Sequence, residues 1–175
     1  FKPQKYAIIM VLKNRIFASI EADFSPFIKL RISLGFSQNI IMNNKKKITI
    51  IGGGAAGFFC AANLDENKFN VTILEQNQDV LQKVKISGGG RCNVTHACFD
   101  PRELVKFYPR GNKELLSVFH KFQPGDTMAW FAQRNISLKI EDDNRIFPES
   151  NSSQTIIDCF LKEVQAKNFE IKTQS

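Results

Sequence analysis

Gly52, Gly54 and Gly57 stand in the spacing Gly-x-Gly-x-x-Gly, the arrangement in this 175-residue chain best suited to holding a phosphate. The first glycine of such a set allows a tight turn, the second lets backbone approach a pyrophosphate, and the third lets a helix pack closely on a strand. Gly53, Ala55 and Ala56 occupy the intervening positions. A phosphate there would meet unpaired amides and the partly positive end of a helix. Glycine-rich turns join many strands to helices, so the pattern needs support from its context. Glu75 supplies some, because it follows the glycines by about 20 residues, where a carboxylate accepts hydrogen bonds from the hydroxyls of an adenosine ribose. An NADP-type phosphate would be repelled there. The alternative for Glu75 is a solvated residue at the end of a strand.

The second chemical stretch runs from Lys83 to His96 and centres on Ser87-Gly88-Gly89-Gly90-Arg91-Cys92-Asn93-Val94-Thr95. Three successive glycines expose backbone amides beside a fixed cation, Arg91, and the hydrogen-bonding side chains of Ser87, Asn93 and Thr95. That set suits a bound phosphate or a flavin edge. A plain surface turn needs one or two glycines and gains nothing from the Arg-Cys-Asn that follows. Cys92 reads either as a redox thiol activated by Arg91 or as a packed residue supporting the backbone. No residue stands out as a catalytic acid or base.

The elements that must position these residues are legible on either side. Ile48 to Ile51 is a β-branched run that reads as a strand, Ala55 to Leu64 as a helix, and Phe69 to Leu74 as a second strand ending at Glu75, which makes a βαβ-type unit. From Asp100 the pattern turns helical: Asp100-Pro101 reads as an N-cap with proline at the first helical position, continued by Arg102 to Tyr108. A further helix spans Lys113 to Phe122, Pro124-Gly125 breaks it, and Asp126 is expected to cap a third. That third helix carries Met128, Trp130 and Phe131, which read as core. Short strands are expected at Ser137–Ile140 and Arg145–Phe147. An amphipathic helix follows over Ser153 to Lys167, with Ile156, Ile157, Phe160, Leu161 and Val164 on one face, and Phe169 to Lys172 reads as a last strand. The fold class is therefore α/β, a parallel sheet interrupted by a helical excursion near residues 100 to 150.

With 43% hydrophobic residues the chain can bury an ordinary core. Its formal net charge of +7 arises in residues 1 to 47, since residues 48 to 175 hold fifteen charges of each sign. With no basic stripe interleaved with aromatics along that neutral body, nucleic acid is not the expected partner and a small-molecule substrate is. Cys60, Cys92, Cys98 and Cys159 match neither a CxxC pair nor a disulfide framework, so reduced thiols and a cytoplasmic setting are expected. His96 and His120 are too few and scattered for a metal site, and none is expected. Residues 1 to 41 show no periodicity of their own. They are expected to be a leader outside any domain or upstream translation ahead of Met42, with an organellar transit peptide as the alternative. Their longest apolar run falls far short of the ~20 residues needed to span a membrane, so no membrane association is expected.

Ile51 to Gly57, Glu75 and the run Lys83 to Thr95 together resemble the BaiN/YhiN-type flavoproteins, a family of NAD(P)/FAD-dependent oxidoreductases. The likeness extends from about Ile48 to the end. It includes Asn144-Arg145-Ile146-Phe147-Pro148, where Asn144 replaces the usual glycine, a mild departure because Asn tolerates left-handed backbone. Leu81-Gln82-Lys83 replaces the commoner Gly-Arg-Lys, so Lys83 alone carries over, and His96 replaces a more frequent Asn. The resemblance implies a Rossmann-like domain over residues 42 to 175 that binds FAD, with NAD(P)H as a candidate electron donor. Gly52 to Gly57 would face the pyrophosphate, Glu75 the ribose, and Ser87 to Thr95 the flavin side. Family members are longer, so it also implies an amino-terminal fragment truncated before the substrate domain. A tRNA-modifying flavoprotein and a non-catalytic nucleotide-binding fragment are the alternatives; the oligomeric state is left open.

Overall fold

The computed structural model describes residues 6–12, 15–19 and 45–175, the first two stretches as backbone alone. Met42, the expected start, lies outside the described residues. In chain order the elements are β1 (Tyr6–Leu12), β2 (Arg15–Ser19), β3 (Lys46–Ile51), α1 (Ala55–Ala62), β4 (Phe69–Leu74), α2 (Gln82–Gly90) and β5 (Thr95–His96). Then come α3 (Pro101–Leu104), a 3-10 turn (Val105–Phe107), α4 (Asn112–Phe119), α5 (Pro124–Ala132), β6 (Leu138–Ile140), β7 (Arg145–Pro148), α6 (Ser153–Ala166) and β8 (Glu170–Lys172). The described residues fall into two compact units: those up to Gln78 together with Val164–Ser175, and Asp79–Glu163.

In the first unit the sheet order is β2-β1-β3-β4-β8. Strand β3 runs parallel to β4, with Ile48 opposite Val71 and Ile50 opposite Ile73, and β4 runs parallel to β8. Strand β1 pairs parallel to β3 on the other side, and β2 antiparallel to β1. Ile48, Ile50, Val71 and Ile73 are buried, as are Phe58, Ala61 and Ala62 of α1. β-branched side chains favour the pleated backbone, and burying four of them on adjacent strands supplies much of this unit's cohesion.

Helix α1 ends at Ala62, two residues before the sequence pattern suggests. The Asn63 side chain bonds back to the Phe59 carbonyl at 2.7 Å, and the Lys167 ammonium donates to the carbonyls of Ala62 at 2.8 Å and Leu64 at 2.6 Å. A cation at a helix carboxyl end satisfies orphan carbonyls and opposes the negative end of the dipole.

The second unit contains the three-stranded antiparallel sheet β5-β7-β6 and the helices from α2 to the first part of α6. It begins earlier than the expected excursion and takes in the second glycine stretch. Asp100 caps α3 as expected, its carboxylate accepting from the Arg102 amide at 2.7 Å. Helix α5 starts at Pro124 rather than after it. Asp126 is not its N-cap but its third residue, where its carboxylate accepts from the Gln123 amide at 2.8 Å, the reaching-back half of a capping box. Trp130 and Phe131 are buried, with ring centroids 5.6 and 6.0 Å from Phe160, and Arg134 lies 3.6 Å over the Trp130 ring while pairing with Glu163.

Lys167 tests the support of α1. Lys167→Met should leave two carbonyls without their cation and cost about 1–3 kcal/mol in urea-unfolding stability. Lys162→Met, at an exposed position of α6, should stay within about 0.5 kcal/mol of the parent.

Candidate functional site

Strand β3 delivers the chain into Gly52, whose φ of 106° lies in the region that favours glycine. The Gly52 amide donates to the Leu74 carbonyl at 2.7 Å, holding the turn against the end of β4. Gly54 then serves as N-cap of α1 with ordinary extended angles and no capping side chain. The first amides of α1, at Ala55, Ala56 and Gly57, precede the first intrahelical donor, Phe58, which bonds to the Gly54 carbonyl at 3.1 Å. Gly54, Ala55 and Ala56 are exposed and Gly57 is buried.

The glycines differ in what a side chain would meet. A Cβ on Gly57 would overlap the carbonyl oxygen of Gly52 and stand 3.3 Å from Cγ2 of Ile50, so glycine is required there by packing of helix on strand. A Cβ on Gly54 would meet nothing within 4 Å. Neither angles nor neighbours require glycine at Gly54, and what it provides is bare backbone facing open space at a helix amino end.

Glu75 sits beside this turn. Its Oε2 accepts from the Gly53 amide at 2.8 Å, while Oε1 accepts from the Asn77 amide at 2.9 Å and the Asn77 side chain at 2.6 Å. Its backbone amide donates to the Lys172 carbonyl at 2.8 Å, fixing it to the end of β8. Partial burial pushes the Glu75 carboxyl up, but the amides of Asn77, Gly53 and Gln76 and the Asn77 side chain together outweigh it, so the net shift is below the ordinary value. Asn77 is a functional neighbour whose local signal is slight: an Asn two residues beyond an acidic strand end favours a turn.

In the second unit, Lys83 to Ile86 are helical rather than part of a loop. Leu81 opens α2 in the left-handed region, Lys83 is exposed, and the helix breaks at Ser87, where ψ is 147°. Ser87 spends its hydroxyl on the Val84 carbonyl at 2.9 Å. Gly88 and Gly89 have φ of 56° and 68°. A Cβ on Gly88 would stand 2.6 Å from Phe147 and 2.8 Å from the Asn93 amide nitrogen, whereas on Gly89 it would meet nothing within 4 Å. Gly90 and Asn93 are exposed, and Thr95 pairs with Ile146 as part of β5.

Arg91, the fixed cation expected beside the three glycines, is engaged by two other side chains. Its guanidinium grips Glu141 through both terminal nitrogens, at 2.5 and 3.4 Å, and lies 4.0 Å over the Phe147 ring. Cys92 is buried, with a φ of 63°. Burial pushes its thiol up, and the Arg91 guanidinium, which the redox-thiol reading needs to lower it, is held by Glu141. Glu141, fifty positions from Arg91, carries no local signal that would reveal the pair. Asn144 takes the left-handed turn expected of it, with φ of 63°. Among the described residues no group of three or more His, Cys, Asp or Glu is arranged to hold a metal ion, and no helix is long and apolar enough to cross a membrane.

The HI0933-like protein Rossmann domain family matches residues 46–175. The chain belongs to that family. Its α/β fold with a parallel sheet is the one this membership requires. The chain is also similar to the ribosomal RNA dihydrouridine synthase of Haemophilus influenzae, 28% identical over 121 residues, 69% of this chain and 27% of that protein. The 3-dehydro-bile acid delta(4,6)-reductase of Clostridium scindens is 29% identical over 130 residues, 73% of this chain and 31% of that protein. The ribosomal RNA dihydrouridine synthase of Escherichia coli is 28% identical over 126 residues, 69% of this chain and 29% of that protein. The HI0933-like domain described here thus spans less than a third of the length of these curated relatives.

Two outcomes follow. Gly57→Ala should destabilise the first unit by about 1–3 kcal/mol in chemical unfolding, because the turn or the helix must move to admit the methyl group. The Glu75 carboxyl is depressed in the folded chain, so its contribution is present above its unfolded pKa and is lost as pH falls through the folded one. Glu75→Gln should therefore flatten the acid limb of the stability profile, read as melting temperature against pH, and leave neutral-to-alkaline behaviour parallel to the parent.

Proposed function

We propose that the chain is the FAD-binding portion of a flavin-dependent reductase, and the observation carrying this reading is Gly54, bare and open at the amino end of α1. The amides of Ala55, Ala56 and Gly57 would hold the pyrophosphate, with Gly54 admitting its close approach. Glu75 would accept the ribose hydroxyls through lone pairs left over from its bonds to Gly53 and Asn77. In the second unit, the backbone of Gly88 to Gly90 together with Asn93 is proposed for the flavin side, on the resemblance alone. Bound FAD would supply hydride chemistry, with NAD(P)H proposed as its source. This chain's residues would bind and orient the cofactor; no acid or base is assigned among them. Four free thiols support a reducing compartment such as the cytoplasm.

The substrate proposed is a small molecule bearing a carbon–carbon double bond conjugated to a carbonyl. The name of the bile acid reductase supports this, because hydride adds readily to such an activated alkene. A second reading, favoured by the names of the two dihydrouridine synthases, is the uracil ring of an RNA, whose double bond is likewise conjugated to a carbonyl.

Flavin content separates this reading from a module that holds another nucleotide. Purified full-length protein should show a flavin absorbance spectrum. Gly54→Ala should keep the fold, within about 0.5 kcal/mol, yet bind FAD at least tenfold more weakly, since the methyl group enters only the ligand's space. Gly89→Val should also fold, at a strain of a few kcal/mol, and lose flavin. A folded Gly89→Val protein with a full complement of FAD would remove the second glycine stretch from the site.

A further inference from the structure

The fifteen charges of each sign in residues 48 to 175 are unevenly spread. Residues 99 to 122 hold five Lys or Arg against three acids, whereas residues 123 to 163 hold four against seven. Two of the three acids are engaged: Asp100 caps α3 and Glu103 pairs with Lys106 at 2.7 Å. Among the described residues Arg102, Arg110, Lys113 and Lys121 form no ion pair, and all four are exposed.

Along residues 99 to 122 aromatic residues alternate with these cations, and three of them are exposed. Phe99 is 49% exposed, Phe107 61% and Tyr108 41%. Two of them are propped from behind, Phe107 by His96 with centroids 4.7 Å apart and Tyr108 by Phe119 at 5.3 Å. A propped ring loses little rotamer freedom when something stacks on its outer face. Exposing flat rings among unpaired cations is costly for a surface with no partner, and it is the combination that holds single-stranded nucleic acid: π-faces for bases and charges for phosphates.

We propose that the surface formed by α3, the 3-10 turn and α4 docks single-stranded RNA, with Phe107 and Tyr108 as stacking platforms and Arg102, Arg110, Lys113 and Lys121 as phosphate contacts. The proposal rests on the RNA reading of the substrate and adds to it the place where the strand is held. It lies wholly within the second unit and involves none of the residues assigned to FAD.

Fluorescence anisotropy of the full chain with a fluorescein-labelled oligouridylate about 12 nucleotides long, at about 50 mM salt, tests it. Binding is expected, with affinity falling roughly tenfold for Phe107→Ala and again for Tyr108→Ala. Lys113→Gln should reduce the slope of log affinity against log salt by about 0.7. Circular dichroism and flavin content should match the parent, since these side chains are on the surface. No binding by the parent chain overturns the proposal, and so does binding that the aromatic variants leave intact. Tighter association with phosphatidylserine vesicles than with RNA overturns it in favour of a lipid surface. Turnover is a separate readout: RNA that is bound through this patch but never reduced sinks the RNA substrate reading and leaves the docking surface standing.

Discussion

The close approach of helix α1 to the turn after β3 is the constraint on which the first unit depends. The Gly52 carbonyl occupies the space that any side chain at position 57 would take, so strand, turn and helix are locked at a distance that only glycine permits. The lock is reinforced at both ends. At the amino end the Gly52 amide is tied to Leu74 and the Gly53 amide to Glu75, so the turn is held by the end of the neighbouring strand. At the carboxyl end Lys167 gathers the last carbonyls of the helix. A helix amino end can serve as an anion site only if its amides are held still, and these ties hold them from opposite directions.

The second unit achieves rigidity by another route. Its glycine stretch has no neighbouring parallel strand to define it. Instead Phe147 is a hub: the ring sits where a Cβ on Gly88 would fall, and its face carries the Arg91 guanidinium, which Glu141 in turn orients. An arginine held by a bidentate carboxylate and a ring face is a structural strut, with much of its charge already answered. The sequence presents Arg91 as a cation beside three glycines and carries no sign of Glu141 and Phe147, its partners, which lie fifty or more positions away.

That difference marks how far the sequence could be read. Strands at Ile48–Ile51 and Phe69–Leu74, the helix between them and the Asp100 cap follow from local pattern, and the structure shows them within a residue or two of their expected bounds. Asn144 was recognisable as a left-handed position because the side chain itself favours that backbone. The start of α5 is also encoded locally, in Gln123-Pro124-Gly125-Asp126, where proline both ends one helix and suits the first position of the next, and Asp126 reaches back from the third. By contrast the Arg91–Glu141 pair, the left-handed Leu81 and the propped rings of Phe107 and Tyr108 depend on residues that only tertiary folding brings together. Charge summed over a long stretch likewise conceals a local excess that becomes visible once the acids are assigned to their caps and pairs.

Glycine best separates what is written in sequence from what is not. Gly57 and Gly88 are required by neighbouring protein atoms, and Gly54 and Gly89 are not, yet all four look alike in the chain. At Gly54 the backbone angles are open to any residue, so neither strain nor crowding accounts for it. A position that tolerates a side chain conformationally and has room for one, at the amino end of a helix and near a hydrogen-bonded carboxylate, is where the proposed FAD reading places the approach of the pyrophosphate. A glycine demanded by packing reports on stability when it is changed. A glycine that neither packing nor backbone angles demand can be changed without disturbing the fold, which makes Gly54 the position where the proposed cofactor reading and stability separate most cleanly.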